Sequence, residues 1–230
     1  MKTIGLIGGM SWQSSLEYYR IINETVNEKL GGMHSAKSLL FSVDFEKIEH
    51  LQRLDRWDEL TKLMIEAAQN LEKGGADLVV ICTNTMHRTA DAVQENIGIP
   101  LLHIADVTAE RIRRKGWGKI GLLGTLYTME QDFYKNRLQN KFGIEVLVPE
   151  KNDRSIVHEV IYRELSFGIK KISSKIKFAD IINKLSNRGA DAVILGCTEI
   201  PLLIGRQDVE IPLLDTTRIH AESAVEYALA

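Results

Sequence analysis

Two short polar segments of this sequence carry the side chains that are best suited to catalysis. Cys197 and Thr198 lie in G-C-T-E at 196–199, and Thr83, Asn84 and Thr85 lie in C-T-N-T-M-H at 82–87. A cysteine thiol can act as a nucleophile or as a general acid and base near neutral pH. Nucleophilic catalysis normally uses a neighbouring histidine, and no histidine is near Cys197 in the sequence. Histidines brought near by the fold, such as His87 or His103, remain possible, so both roles of the thiol stay open from the residues alone.

Both segments belong to an internal duplication. I-G-L-I-G-G at 4–9 resembles I-G-L-L-G-T at 120–125, G-A-D at 75–77 recurs at 189–191, and I-P-L-L at 99–102 recurs at 211–214. The offsets are 116 (120 − 4), 114 (189 − 75) and 112 (211 − 99), in the same order along the chain. With the offset of 114, Thr83 aligns with Cys197, and Asn84 aligns with Thr198. The two polar segments therefore occupy equivalent positions in two similar halves.

The elements that position these segments alternate between short apolar runs and longer amphipathic stretches, which is typical of βα units around a parallel sheet. Predicted strands cover 3–7, 38–43, 78–82, 101–104, 119–123, 145–147, 192–195 and 213–214, and predicted helices cover 12–30, 57–73, 108–115, 129–141, 156–167 and 178–188. The predicted fold class is α/β, with two pseudo-symmetric, doubly wound parallel-sheet (Rossmann-like) domains. We expect the first domain to cover 1–103 and 214–230, and the second to cover 104–213.

Both polar segments follow directly after a predicted strand. Ligands bind at the carboxyl ends of strands in open α/β sheets, so we expect the site in the cleft between the two domains. A thiol between a strand and a helix is expected to have a pKa below its ordinary value of about 8.5. Side chains alternate along a strand, so Cys82 faces the core if Thr83 faces the site.

The other candidate residues suit a small ligand that carries a carboxylate and an amine. Asn84, Thr85, Thr125 and Thr198 supply amides and hydroxyls at strand ends. The strand-to-helix loops around Met10 and at 124–125 supply backbone N–H groups that could hold a carboxylate. T-M-E-Q at 128–131 resembles a capping box, which is a structural role.

Composition and spacing argue against several other classes of function. The formal net charge of −2 gives no reason to expect a nucleic acid or an anionic membrane as partner. Cys82 and Cys197 are too few and too far apart for a disulfide framework or a zinc site. No apolar run is long enough to cross a bilayer, and the first ten residues do not resemble a signal peptide. G-x-x-G-G at 5–9 lacks the dinucleotide-binding spacing, and no phosphate loop, metal cluster or pyridoxal-lysine motif is recognisable. We expect a cytoplasmic protein without a cofactor.

G-L-I-G-G-M at 5–10, C-T-N-T-M-H at 82–87 and G-C-T-E at 196–199 resemble motifs of the aspartate/glutamate racemase superfamily. The resemblance covers essentially the whole chain and is nearest to bacterial amino-acid racemases. It implies an isomerase of EC 5.1.1 type that uses no pyridoxal phosphate and holds an amino acid between the domains. One cysteine of such enzymes removes the α-proton, and another returns a proton from the opposite face. The resemblance also implies a homodimer.

One position departs from the pattern of that family. The usual first-half motif is C-N-T-x-H, whereas Thr83 precedes Asn84 here and Cys82 is displaced by one residue. A threonine hydroxyl is too weak an acid to supply a base near pH 7, although it can donate a proton or relay one through water. We therefore predict that Cys197 is the main base and acid, with Thr83 on the opposite face. Similar enzymes use the second-half cysteine on the L-enantiomer, which favours L-amino acids as substrates.

The side-chain specificity stays open between aspartate, glutamate and a broader range of L-amino acids. Aspartate-specific relatives hold the distal carboxylate with an arginine and a lysine, and the matching positions here are Glu49 and Ser166. Gln52 and Arg53 are the nearest candidates to replace the arginine. His87 matches the histidine of the family motif and is either a group that tunes protonation or a packing residue.

Three alternative functions remain. Another isomerase of the superfamily, of the maleate isomerase or hydantoin racemase type, or an arylmalonate decarboxylase would use the same thiol on a different substrate. A non-catalytic amino-acid-binding relative belongs to a different class and is favoured by the missing first cysteine. Solvent deuterium exchange at Cα separates a racemase from such a binder. A nucleotide-binding Rossmann protein is disfavoured because its fingerprint is absent.

Overall fold

Two parallel β-sheets form the framework of the computed structural model, which describes residues 1–230. The strands are β1 (Ile4–Gly8), β2 (Ser38–Ser42), β3 (Leu78–Ile81), β4 (Lys119–Gly124), β5 (Glu145–Leu147), β6 (Ala192–Gly196) and β7 (Leu213–Asp215). The first sheet has the order β2-β1-β3, and the second has the order β5-β4-β6-β7. All strand pairs are parallel, as predicted from the alternation of apolar runs and amphipathic stretches.

Helices connect the strands in both sheets. The α-helices are α1 (Trp12–Leu30), α2 (Phe45–Arg53), α3 (Trp57–Lys73), α4 (Ala90–Gln94), α5 (Ile104–Arg114), α6 (Leu126–Glu130), α7 (Asp132–Asn136), α8 (Lys151–Arg163), α9 (Ile172–Asn187) and α10 (Thr216–Leu229). Short 3₁₀ helices cover Thr85–Thr89, Leu165–Phe167 and Ile200–Leu202. None of the helices combines the length and the hydropathy that a membrane span requires.

The chain divides into two units, each with its own sheet. Unit 1 comprises Met1–Ile104 and His220–Ala230, and unit 2 comprises Ala105–Ile219. The chain returns to unit 1 within α10, because β7 pairs with β6 and so belongs to the sheet of unit 2. Within unit 1 the buried side of α10 packs with β1, β3 and α1 around an apolar core. The α/β fold class expected from the sequence is confirmed.

The repeated G-A-D motif has the same structural role in both units. Asp77 accepts a hydrogen bond from the backbone N–H of Thr3, with an N–O distance of 2.6 Å. Asp191 accepts the equivalent bond from Lys119, at 2.9 Å. Each aspartate therefore fixes the residue at or next to the start of its central strand, β1 or β4, and the motif is explained by the fold.

The repeated I-P-L-L motif forms equivalent strand pairs of different length. Val193 pairs with Leu213 in unit 2, and Val79 forms a parallel bridge with Leu101 in unit 1. The predicted strand at 101–104 is wrong in extent, because α5 already begins at Ile104 and leaves only this single bridge.

The segment after β4 also differs from its prediction. We predicted one helix over 129–141 with a capping box at 128–131, whereas the chain forms α6, α7 and a π-helical turn at Arg137–Lys141. The N-cap of α6 is Thr125, whose hydroxyl accepts a hydrogen bond from the Thr128 N–H at 3.3 Å. Thr128 lies inside the helix, so the capping box is wrong and the cap lies three residues earlier.

A buried histidine, His220, joins α10 to the rest of unit 1. Its Nε2–H donates to the carbonyl of Leu102, and the hydroxyl of Tyr18 donates to its Nδ1, both at 2.8 Å. Burial lowers the pKa of His220 to about 4. The ring is therefore neutral at physiological pH, with both nitrogens hydrogen-bonded.

We expect this histidine to make the folded state sensitive to acid. The unfolded chain, in which the pKa is about 6.5, binds more protons than the folded chain, so stability is full above pH 6.5 and falls as the pH drops toward 4. The His220 contribution to the free energy of unfolding should be about 2 kcal/mol smaller at pH 5 than at pH 7.5. Urea unfolding at the two pH values measures this difference.

The matched variants are His220→Gln and His34→Gln, the latter at an exposed position. His220→Gln should reduce the difference in unfolding free energy between the two pH values, whereas His34→Gln should leave it close to that of the wild type. An unchanged difference in His220→Gln would mean that other groups cause the acid sensitivity.

Candidate active site

Three predicted site residues come together in unit 2. Cys197 and Thr198 follow β6, and Thr125 follows β4. The strands are adjacent and parallel, and Gly124 is paired with Gly196, so Thr125 and Cys197 leave the sheet at the same level. All three predicted residues are buried. The register of the sheet therefore brings Thr125, Cys197 and Thr198 to one edge of this sheet.

The thiol of Cys197 contacts a carboxylate. Its Sγ lies 2.9 Å from Oε2 of Glu199, and the hydroxyl of Thr198 donates to the same oxygen at 2.8 Å. Glu199 is itself buried, with 4% of its surface exposed. Glu199 was not among the predicted site residues, although it belongs to the G-C-T-E motif. Its position two residues after a candidate thiol was the signal that could have identified it.

The pKa of Cys197 is raised well above its ordinary value, mainly by burial and also by the charge and hydrogen bond of Glu199. Backbone N–H groups of Glu199 and Thr198 lower it, but less. The predicted fall in this pKa is therefore wrong. The following helix, Ile200–Leu202, is only three residues long, and the thiol lies within the apolar core of unit 2. Cys197 is a protonated thiol in the free protein, with the Glu199 carboxylate as its hydrogen-bond acceptor.

Thr125 and its loop are already engaged in local hydrogen bonds. The hydroxyl of Thr125 caps α6 and lies 3.2 Å from the hydroxyl of Thr128. The N–H of Leu126 donates to Nδ1 of His158 at 3.2 Å. The N–H groups of Leu126 and Thr128 are therefore occupied, which limits the predicted use of this loop to hold a carboxylate.

In unit 1, two predicted segments follow neighbouring strands. Met10 follows β1, and Thr83 follows β3, which is paired with β1 through Ile7 and Ile81. Asn84 and Thr85 are buried, whereas Thr83 is only half-buried. Of this polar segment, Thr83 therefore remains the most accessible residue.

Gln52 lies against the same polar segment. It is buried near the end of α2, and its amide Nε2 lies 3.3 Å from Sδ of Met86, which follows Thr85. Arg53 instead forms an ion pair with Glu49 at 2.9 Å, with 60% of its side chain exposed. Of the two candidates to replace the distal arginine, Gln52 is the one that is buried against the C-T-N-T-M-H segment, through Met86.

The glycine-rich loop before Met10 has a structural explanation. The N–H of Gly9 donates to the hydroxyl of Ser15 at 2.8 Å. This N–H is therefore not available to hold a carboxylate, although the sequence predicted that use for the loop. A Cβ at Gly9 would lie 2.2 Å from the carbonyl oxygen of Val43, and φ is +90°. The residue must therefore be glycine whatever the ligand.

His87 is a neutral positioning residue of unit 1. The N–H of Ile104 donates to Nε2 at 3.1 Å, so the proton is on Nδ1, which donates to the carbonyl of Thr83 at 2.7 Å. Both nitrogens are engaged, which excludes free proton exchange by this ring in the observed arrangement. His87 holds the backbone of Thr83, which favours the packing interpretation of the two alternatives.

Cys82 faces the core of unit 1, as the alternation along β3 predicted. None of its surface is exposed, and burial raises its pKa. It packs with Ile4, Tyr18 and Val80 in the apolar cluster of that unit. Cys82 therefore does not take the place of the missing cysteine at Thr83.

No group of three or more His, Cys, Asp or Glu side chains could hold a metal ion.

Comparisons with known proteins agree with the motifs. The family model for Asp/Glu/Hydantoin racemases matches residues 7–224. A crystal structure from Yersinia pestis, provisionally described as an Asp/Glu racemase, is 51% identical, with a TM-score of 0.94 over 100% of both chains. An aspartate racemase homologue from Pyrococcus horikoshii is 36% identical, with a TM-score of 0.86 and the same coverage. The broad specificity amino-acid racemase RacX of Bacillus subtilis is 27% identical over 75% of this chain and 74% of that protein.

Proposed function

Because the chain belongs to the Asp/Glu/Hydantoin racemase family, we propose that it is an amino-acid racemase that uses no pyridoxal phosphate and exchanges the α-proton through Cys197. The observation that carries the proposal is the 2.9 Å contact between the Cys197 thiol and the Glu199 carboxylate, at the carboxyl end of β6. A thiol with an adjacent proton acceptor, in a buried place, is a suitable group for abstraction of a carbon-bound proton.

The proposed reaction starts with Cys197 as a thiol. An amino acid brings its ammonium group to Glu199 and Thr198, and the thiol proton moves from Sγ to the Glu199 carboxylate. The resulting thiolate takes the proton from Cα of the L-amino acid, and the electron pair of that C–H bond stays on the planar carbanion. A proton from Thr83, or from a water hydrogen-bonded to Thr83, then adds to the opposite face and gives the D-amino acid. The Thr83 oxygen or that water regains a proton from solvent, and Glu199 releases the proton it took, which restores the starting state.

The two faces of this proposed site are chemically unequal. The Cys197 thiol can remove a proton and return it, whereas the Thr83 hydroxyl can donate a proton but is a very weak base. Exchange of the α-proton of L-amino acids should therefore be faster than formation of the D-form, and D-amino acids should be poor substrates. Asn84, Thr85 and Met10 are proposed to contact the substrate beside Thr83.

For the substrate range we propose L-amino acids beyond aspartate and glutamate. Gln52 offers an amide in place of the arginine of aspartate-specific relatives, and an amide accepts carboxylates and neutral polar groups alike. Ser166, which matches the relatives' lysine, donates its hydroxyl to the carbonyl of Ile161. Neither Gln52 nor Ser166 carries a positive charge, so the proposed site does not require a substrate whose side chain ends in a carboxylate.

The test is NMR of the protein in D2O with L-aspartate, L-glutamate and the other proteinogenic amino acids, each in both enantiomers. Loss of the Cα proton signal of one or more L-amino acids, followed by appearance of the D-form, is the expected result. The absence of both exchange and binding with every amino acid would favour another isomerase of the superfamily, which acts on a different substrate. Binding of amino acids without exchange would show a non-catalytic relative.

We also propose that the protein is a cytoplasmic homodimer. A reduced thiol at Cys197 suits the cytoplasm, and the exposed face of α1 carries Trp12, Leu16 and Tyr19, which are 65%, 56% and 53% exposed. Their spacing places them on one side of the helix, where a second copy would cover them. Light scattering should give about twice the chain mass of 26.0 kDa.

Leu16→Glu is expected to shift the protein toward the monomer, because it introduces a charge into that stripe. Ile172→Glu, at a position 79% exposed in unit 2, is the matched control and should leave the dimer intact. A wild-type protein that is monomeric at tens of micromolar would contradict the proposed dimer without affecting the proposed reaction.

A further inference from the structure

Thr217, in the first turn of α10, carries a buried hydroxyl with no hydrogen-bond partner. Only 2% of the residue is exposed, and its Oγ1 makes no hydrogen bond. The hydroxyl of the adjacent Thr216, by contrast, donates to the carbonyl of Leu195 at 2.9 Å. An unsatisfied hydroxyl is unfavourable in a protein interior, and such groups call for an explanation such as a ligand. A group that a ligand supplies would satisfy Thr217.

The sheet of unit 2 brings Thr217 and Cys197 to the same sheet edge from neighbouring strands. The strands β6 and β7 are adjacent and parallel, and their last pair is Leu195 with Asp215. Cys197 and Thr217 each lie two residues beyond that pair. They therefore leave the same edge of the sheet from neighbouring strands, which is the edge where ligands bind in α/β folds.

The hydroxyls near Cys197 differ in what they can still offer a ligand. The proton of Thr198 is donated to the Glu199 carboxylate, so its oxygen remains as an acceptor, suited to an ammonium group. The hydroxyl of Thr125 caps α6. The hydroxyl of Thr217 has both its proton and its lone pairs available. The negative charge of Glu199 disfavours a second carboxylate beside it, whereas the Thr217 hydroxyl is neutral and can donate to one.

We infer that Thr217 is a substrate-binding residue whose hydroxyl donates to the carboxylate of the bound amino acid. The inference rests on the proposed function and adds the direction in which the substrate lies. Its ammonium group is toward Glu199 and Thr198, and its carboxylate is toward β7. With both groups held, the Cα–H bond of the substrate is fixed in relation to Cys197.

Thr217→Val tests this assignment, because it removes the hydroxyl and nearly keeps the shape. KM for the L-amino acid that the wild type exchanges fastest should rise by about 10-fold to 100-fold, as for loss of a hydrogen bond to a charged group. The change in kcat should be smaller, and the melting temperature should not fall, because no hydrogen bond of the free protein is lost. Thr217→Ser should restore KM to nearly its wild-type value.

Thr25→Val is the matched control, because it removes a buried threonine hydroxyl in α1 that donates to the Ile21 carbonyl. It should leave KM unchanged. Wild-type KM and kcat in Thr217→Val, and in Thr217→Ala as a second variant without the hydroxyl, would overturn the inference alone. If the wild type exchanges no proteinogenic amino acid, the proposed function fails, and this inference fails with it.

Discussion

Cys197→Ala is expected to abolish exchange of the Cα proton for every amino acid that the wild-type protein exchanges, with a fall in rate of at least about 1,000-fold. The expected loss is this large because the thiol is the proposed group that touches the reacting proton. Thr83 cannot replace it, since a hydroxyl is not a base near pH 7. NMR in D2O measures the remaining rate directly from the Cα proton signal.

Two further variants identify the source of that effect. Cys82→Ala removes the other cysteine, which is buried in the core of unit 1, and should keep the exchange activity while lowering stability. Glu199→Gln keeps the size of the side chain but replaces the proton acceptor 2.9 Å from the Cys197 thiol, and should slow exchange by about 100-fold. Loss of activity in Cys82→Ala with full activity in Cys197→Ala would exclude the proposed mechanism.

Thr83→Cys is expected to create rapid proton exchange of D-amino acids. A thiol, with an ordinary pKa of about 8.5, can form the base that the threonine hydroxyl cannot. Thr83 is half-buried and its backbone carbonyl is held by His87, so a cysteine of similar size should take the same place. The measurement is deuterium incorporation into D-amino acids, which should rise by at least about 100-fold over the wild type.

Thr83→Ala provides the complementary control. It should keep α-proton exchange of L-amino acids through Cys197 but lose most formation of the D-form, because the opposite face then has no proton donor. A Thr83→Ala variant with full activity in both directions would show that Thr83 takes no part in the reaction.

Local patterns were sufficient for most of the framework. The helices α1 and α3 begin and end at the predicted residues, because each has an uninterrupted amphipathic pattern. The segment after β4 was predicted poorly, because the pattern over 129–141 does not show that the chain breaks between α6, α7 and the π-helical turn. The helix α2 was not predicted, although an aspartate caps its start.

The sequence identified the candidate site residues, whereas their protonation depends on contacts that it does not show. The duplication aligned Thr83 with Cys197, and the alternation of side chains along β3 predicted that Cys82 faces the core. The direction of the Cys197 pKa was wrong, because the expectation considered the following helix and not the burial of the thiol or the Glu199 carboxylate. Thr217 had no signal in the sequence, since a threonine early in a helix is ordinary unless its burial and its hydrogen bonds are known.

The sequence by itself determined the α/β class, the duplication and the strand ends that carry Thr83 and Cys197, because these depend on periodicity and on residues close together in the chain. Only the tertiary structure decided the protonation of Cys197, the tautomer of His87 and the availability of Thr217. Those properties depend on burial and on hydrogen bonds, and the bond that fixes the His87 tautomer comes from Ile104, in a different part of the chain. Local sequence patterns do not report such contacts, since they form only when the chain packs.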